Sequence, residues 1–216
     1  MLRLISPEIF ERQAGETANA AHWRASLNFP AEILLKAQGE GDLPSMKAAI
    51  FDVDGVLTDG SLYISEQGES VKAFHSLDGH GLKLLTQAGI LPLVITGRDS
   101  PAVRRRLSDL GIEHALYGIK DKLAAAEALL HTLKITWQQV ATMGDDWPDL
   151  PLMVRAAFAV APPNAHAEVK VRAHHVTTLR GGEGAARECC DILLVASGRY
   201  AELLQGQLNT LDRSTP

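Results

Sequence analysis

The sequence is poor in cysteine: Cys189 and Cys190, side by side, are the two thiols in 216 residues. Neighbours this close rarely pair with each other, and no CxxC spacing offers a zinc site. The expectation is a reducing compartment with buried or inert thiols. Long apolar runs are missing as well; none approaches the ~20 residues that a membrane-spanning helix needs. Near the start, Glu8, Glu11 and Arg12 stand where a secretory signal would carry its apolar core. A cytoplasmic protein is expected. Positive charge is also short, with 21 Lys and Arg against 26 Asp and Glu and a formal net charge of −5. That balance argues against a nucleic-acid binder working by bulk electrostatics. It leaves room for local anion binding through backbone amides, a metal or a few basic side chains. No internal repeat and no low-complexity tract stands out.

What is present suffices for a real core, since 46% of the residues are hydrophobic. The length suits one domain with an appendage, or two small domains. Residues 1–45 differ from the remainder. Ile5, Ile9 and Phe10 suit a short helix with Ser6 as cap and Pro7 in its first turn, and Gly39 to Ser45 reads as a linker. Three readings stay open for this stretch: a partly ordered arm, a packing helix, or an extension ahead of a start at Met46. From Met46 strand and helix alternate. Apolar runs predict strands at Ala48–Phe51, Leu91–Ile95, Ala115–Tyr117, Val140–Met143 and Ala157–Val160, with His175–Thr177 as a sixth candidate. Helices are expected at Gly79–Ala88, Pro101–Leu110, Lys122–Leu133, Leu150–Arg155 and Ala185–Ala196, resuming from Arg199 to Leu208. Ser61–Ser65 and Ser70–Phe74 flank a glycine-containing turn and predict a β-hairpin. The order predicts an α/β fold: a doubly wound parallel sheet over residues 46–200, helices on both faces, one inserted hairpin, and a tail over 201–216.

Asp52 and Asp54 close the first strand, and Gly55 lets the backbone turn sharply. Taken alone, the stretch also suits a strand followed by an ordinary acidic turn. The other polar residues decide between the two. Thr96 closes the second strand, Lys122 opens the helix after the third, and Asp145, Asp146 and Asp149 follow the fourth. All fall at the carboxyl edge of the sheet, where ligands bind in open α/β folds. Several carboxylates in one pocket repel unless a cation joins them. Oxygen ligands favour a hard divalent ion, and Mg2+ pairs with few carboxylates plus a phosphate. Asp52 and Asp145 are the expected direct ligands. A threonine hydroxyl, a lysine ammonium and backbone amides are the parts that hold phosphate oxygens. The set is a phosphoryl-transfer toolkit without a glycine-rich nucleotide loop.

These residues resemble the haloacid dehalogenase superfamily of phosphotransferases. Asp52-Val53-Asp54-Gly55 is similar to its first motif, Thr96 to its second, Lys122 to its third and Gly144 to Asp149 to its fourth. Over about Met46 to Ser197 the chain resembles a capless branch that acts on sugar-acid phosphates of lipopolysaccharide synthesis. The stretches Asp78-Gly79-His80-Gly81 and Gly181 to Glu188 add to that resemblance. Two departures remove positive charge: Leu77 and Glu183 stand where many relatives carry Arg. The N-terminal extension has no counterpart in the branch.

The resemblance implies roles. Asp52 is the nucleophile; Asp54 moves protons at the leaving sugar oxygen. Mg2+ is held by Asp52, the Asp54 carbonyl and Asp145, with Asp146 and Asp149 orienting from outside. Thr96 and the Gly97 amide bind the phosphoryl group, and Lys122 offsets its charge. The resemblance also implies a phosphorylated sugar acid as substrate and a homotetramer with associating hairpins, in which a neighbour's C-terminal segment helps close the pocket. Several residues keep two readings. Arg98 meets substrate or pairs with a helix acid. Lys72, His75 and His80 line the pocket or belong to ordinary surface and packing. Arg187 and Glu188 reach a neighbouring pocket or pair locally. Arg104, Arg105 and Arg106 read as a solvated helix face, and His174 and His175 as strand-edge residues.

Overall fold

The computed structural model describes residue 33, residues 46–66 and residues 68–212. The helix expected near Ile5 to Phe10 and the linker at residues 39–45 lie outside the described residues. Within them the chain runs β1 (Ala48–Phe51), β2 (Tyr63–Ser65), β3 (Gly68–Val71), α1 (Ser76–Gln87), β4 (Leu91–Ile95), α2 (Pro101–Leu110), β5 (His114–Leu116) and α3 (Lys122–Leu133). It continues with β6 (Val140–Met143), α4 (Leu150–Met153), β7 (Phe158–Ala161), α5 (Ala167–Arg172), β8 (His175–Val176), α6 (Ala185–Ala196) and α7 (Tyr200–Asp212).

Six strands form one sheet in the order β5-β4-β1-β6-β7-β8, and every pairing in it is parallel. β1 sits near the middle, with Phe51 beside Val94 on one side and Met143 on the other. Its four residues are all buried because alternate side chains enter two different cores. Ala49 and Phe51 pack with Leu82, Leu85, Ile192 and Leu193 of α1 and α6, while Ala48 and Ile50 pack with Ala126 and Leu130 of α3. A strand covered on both faces reads as a continuous apolar run, which is why β1 was legible in sequence. The sheet is doubly wound as expected, with the β2–β3 hairpin as a separate antiparallel pair.

The differences from expectation are local. α1 begins at Ser76 rather than Gly79. Gly79 and Gly81 both sit inside the helix and allow close packing. A Cβ on Gly79 would lie 2.3 Å from Arg106 Nη2, and one on Gly81 would lie 3.1 Å from Cys190 Sγ on α6. β3 stops at Val71, short of the expected Phe74, and the α4 helix ends at Met153, short of Arg155. Helix α5 was not foreseen from sequence; His166 caps it, its Nδ1 accepting from the Glu168 N–H at 3.2 Å. Helix α6 starts from Gly184, which has no capping side chain. Asp78 on α1 stands in, its Oδ1 accepting from the Arg187 N–H at 2.8 Å. Among the described residues no helix is long and apolar enough to cross a membrane.

Candidate active site

β1 and β6 are neighbours in the sheet, so their carboxyl ends bring Asp52 and Asp145 together. Oxygen atoms of Asp52, Asp145 and Asp149 all lie within 4.8 Å of one another. Among the described residues a buried lysine reaches into this group. Lys122, buried at the start of α3, places Nζ 2.8 Å from Asp52 Oδ1 and 2.7 Å from Asp149 Oδ1. The bond to Asp149 is a well-aligned hydrogen bond. The contact with Asp52 is an ion pair that leaves Oδ1 without an aligned donor. Asp149 is further used by the chain itself: Oδ2 accepts the N–H groups of Asp145 at 3.1 Å and Asp146 at 3.3 Å. Both of its oxygens are thus engaged, which suits an orienting part. Asp146 is exposed and caps the Trp147–Asp149 turn.

Three acids sharing one lysine leave excess negative charge in a low-dielectric place. Burial, reinforced by Asp149 and only partly offset by Lys122, pushes the Asp52 carboxyl up to about 6. Burial together with Asp52 and Asp149 pushes Asp145 up to about 8. For Lys122, burial works downward, but Asp149 and Asp52 outweigh it and hold the ammonium above its ordinary value. Asp52 Oδ1 and Asp145 Oδ1 are buried with no hydrogen-bond partner. Asp52 Oδ1 has the Lys122 ammonium beside it, but Asp145 Oδ1 has no partner, and a hard divalent cation is what would satisfy it within this cluster of acid oxygens, so the donor set fits Mg2+. Gly55 makes the approach possible, because a Cβ there would lie 2.1 Å from Asp145 Oδ2.

Asp54 occupies the other side of the loop. The buried Lys72 ammonium from the end of the hairpin pairs with Asp54 Oδ1 and also lies 3.1 Å from Glu69 Oε1. Arg98 Nε stands 3.7 Å from Asp54 Oδ2 and is half exposed. Arg98 therefore pairs with a loop acid of the site rather than with a helix acid. Thr96 is buried at the end of β4, where its Oγ1 accepts the Arg98 N–H at 3.2 Å and shapes the turn through Gly97. Thr96, Lys122, Asp52, Asp54 and Asp145 thus come from four different strand ends or helix starts to one edge. Arg187 is engaged between helices, with Nε 2.8 Å from Asp191 Oδ1 on its own helix. His175 and Glu188 meet each other at 2.8 Å. Glu188 also accepts from the Thr178 N–H and hydroxyl at 2.9 and 2.6 Å.

Comparison with known proteins agrees with this geometry. A model of haloacid dehalogenase-like hydrolases matches residues 117–188. The 3-deoxy-D-manno-octulosonate 8-phosphate phosphatase of Yersinia pestis is 42% identical over 155 residues, which cover 72% of this chain and 83% of the relative. The chain belongs to the haloacid dehalogenase-like hydrolases. Among solved members of that family, the Moraxella catarrhalis 3-deoxy-D-manno-octulosonate 8-phosphate phosphatase, in complex with magnesium, phosphate and KDO, superposes with a TM-score of 0.75 at 38% identity, covering 81% of this chain and 97% of that one. A cobalt-bound Haemophilus influenzae deoxy-D-mannose-octulosonate 8-phosphate phosphatase superposes at 0.73 with 40% identity, covering 81% of this chain and 99% of that one.

This haloacid dehalogenase-like hydrolase also uses residues that sequence reasoning passed over. Asn164 joins the loop after β7 to Gly55 and Gly181. The His166 N–H donates to the Asp145 carbonyl at 2.8 Å. Trp147 is tied to the same histidine, its indole N–H donating to Nδ1 at 3.0 Å. The available signal for these residues was position alone, since residues 162–166 follow a buried strand at the carboxyl edge.

Proposed function

We propose that the chain is a Mg2+-dependent phosphatase that hydrolyses 3-deoxy-D-manno-octulosonate 8-phosphate to the free sugar acid and phosphate, through an aspartyl-phosphate on Asp52. The observation that carries the reading is the gathering of Asp52, Asp145 and Asp149 oxygens within 4.8 Å of one another, with Lys122 paired to Asp52 and the buried Asp145 Oδ1 left without a partner. The relatives named above supply the substrate. Asp52, the Asp54 carbonyl and Asp145 would hold Mg2+, which when bound neutralises charge on the phosphate oxygens. Asp52 attacks phosphorus in line and displaces the sugar oxygen. Asp54 gives a proton to that oxygen and takes one from the water that hydrolyses the phospho-aspartate. Lys122 holds Asp52 in place and offsets charge on the transferring group, while Thr96 and the Gly97 amide grip its oxygens. Lys72 and Arg98, both beside Asp54, are the cations available to the anionic substrate. In this reading Arg187 serves the pocket of a neighbouring subunit.

The exposed Tyr63, Ile64 and Val71 of the hairpin support a homotetramer assembled through that element. A cytoplasmic location goes with a substrate of intracellular sugar metabolism. The decisive experiment measures phosphate release from the eight-carbon 8-phosphate and from a nine-carbon sugar-acid 9-phosphate, each with Mg2+ and with excess EDTA. A higher kcat/KM on the eight-carbon acid, lost with EDTA, is expected. Preference for the nine-carbon acid would reassign the substrate, and full activity in EDTA would remove the metal.

A further inference from the structure

Two loops carry the acids of the site, and a short segment after β7 holds both. The Asn164 side chain donates from Nδ2 to the Gly55 carbonyl at 3.0 Å. Two residues on, the His166 N–H donates to the Asp145 carbonyl at 2.8 Å. The segment between is stiff. Pro162 and Pro163 restrict its entry, the Ala165 N–H donates to the Pro162 carbonyl at 3.0 Å, and α5 starts directly after His166. Lys170 of α5 fastens it again, with Nζ 3.1 Å from the Pro163 carbonyl.

The other end of the Asn164 amide is also used. Its Oδ1 accepts the Gly181 N–H at 2.8 Å, and the next residue, Gly182, donates to the Val56 carbonyl at 3.0 Å. The Gly181 backbone presses so closely on the β1 loop that a Cβ there would lie 1.8 Å from the Gly55 carbonyl oxygen. Gly55 in turn abuts Asp145. Any displacement of Gly55 toward β6 meets the Asp145 carboxylate, and any displacement away opens the space between Asp54 and Asp145.

We infer that Asn164 is a positioning residue that sets the separation of the β1 and β6 loops, and with it the affinity of the acid cluster for a divalent cation. The inference rests on the reading that the cluster binds Mg2+. Asn164 touches neither the cation nor the substrate in this account. It fixes one loop through its amide while His166 fixes the other through the backbone. An amide suits the place because a single planar group must donate to Gly55 and accept from Gly181 at once.

The test is Mg2+ binding to the substrate-free protein by calorimetry, followed by the Mg2+ dependence of turnover. Asn164→Ala is expected to weaken Mg2+ binding about 10- to 100-fold, the range seen when outer partners of metal ligands are removed. The Mg2+ concentration for half-maximal turnover should rise by the same factor, with kcat largely recovered at saturating Mg2+. Leu130→Ala, in the core on the other side of the sheet, supplies a control that loses stability and keeps its Mg2+ affinity. If Asn164→Ala does not fold, Asn164→Leu retains the side-chain volume, removes both bonds and must show the same loss. Unchanged Mg2+ affinity in a folded Asn164 variant, or equal weakening in Leu130→Ala, overturns the inference. A wild-type protein that binds no Mg2+ overturns the metal reading itself.

Discussion

At the end of β1 the chain buries Asp52 against Lys122 and two more acids, in a place where Asp145 Oδ1 has no partner. The hairpin that follows does the reverse: Tyr63 is 51% exposed and Ile64 is 65% exposed, on strands of three and four residues. The first region conceals charge and the second displays apolar surface. Each arrangement costs stability in an isolated subunit, and each is what a partner would relieve. For the acid cluster that partner is a cation; for the hairpin it is apolar surface. A chemical bridge joins the two regions: Lys72, at the hairpin's end, pairs with Asp54 in the site.

The largest expected effect falls on Asp52. Asp52→Asn should cut kcat by about 10^5-fold, as loss of a covalent nucleophile does, while the melting temperature is held or raised because one buried charge is gone. Steady-state kinetics and a circular-dichroism melt check both. Next comes metal removal. The folded-state values of Asp52 and Asp145 lie above the ordinary carboxylate value. The folded, metal-free protein therefore binds protons that the unfolded chain has released, and the stability these groups contribute is lost as pH rises from about 4 through about 8. EDTA-treated protein should melt lower at pH 8 than at pH 5, and Mg2+ should restore more stability at pH 8. A flat or opposite pH trend in the melting temperature would sink the electrostatic account of the cluster.

Lys122→Met is the next largest, leaving Asp52 and Asp149 without their shared cation, at a cost of about 3–5 kcal/mol in chemical denaturation. Lys72→Ala touches the bridge. Losing a charge-assisted contact worth about 1.5–3 kcal/mol should lower kcat/KM about 10- to 100-fold, with most of the change in KM. The smallest catalytic effect belongs to the hairpin. Ile64→Ser should alter monomer stability by no more than about 0.5 kcal/mol, and sedimentation should show the assembly shifting toward smaller species. An unchanged sedimentation coefficient would mean that this surface does not join subunits.

Local chemistry makes much of this molecule readable in its sequence. The strands β1, β4, β6 and β7 are apolar runs buried on both faces, and such runs need no tertiary knowledge to be seen. The acids that end β1 and β6 were placed at one edge by topology alone, since every parallel strand presents the same end there. Helix α1 starts three residues before Gly79, and its two glycines serve packing, Gly79 against Arg106 and Leu110 of α2 and Gly81 against Cys190 of α6. Helix α5 was missed because its cap is a histidine, a weak capping signal in sequence.

The sequence by itself determined the order of the strands along the chain and the edge at which the acids gather, because each follows from short-range pattern and the handedness of parallel sheets. The tertiary structure alone decided which groups share a partner. Lys122 reaches both Asp52 and Asp149, Asp78 caps a helix 109 residues away through Arg187, and Asn164 reaches back to Gly55 across the same separation. These contacts depend on which helix ends and loops the sheet happens to bring within hydrogen-bond distance, and no periodicity along the chain encodes that. Asp52 and Asp54 are legible in the sequence; the width at which Asp145 faces them is a property of the folded loops.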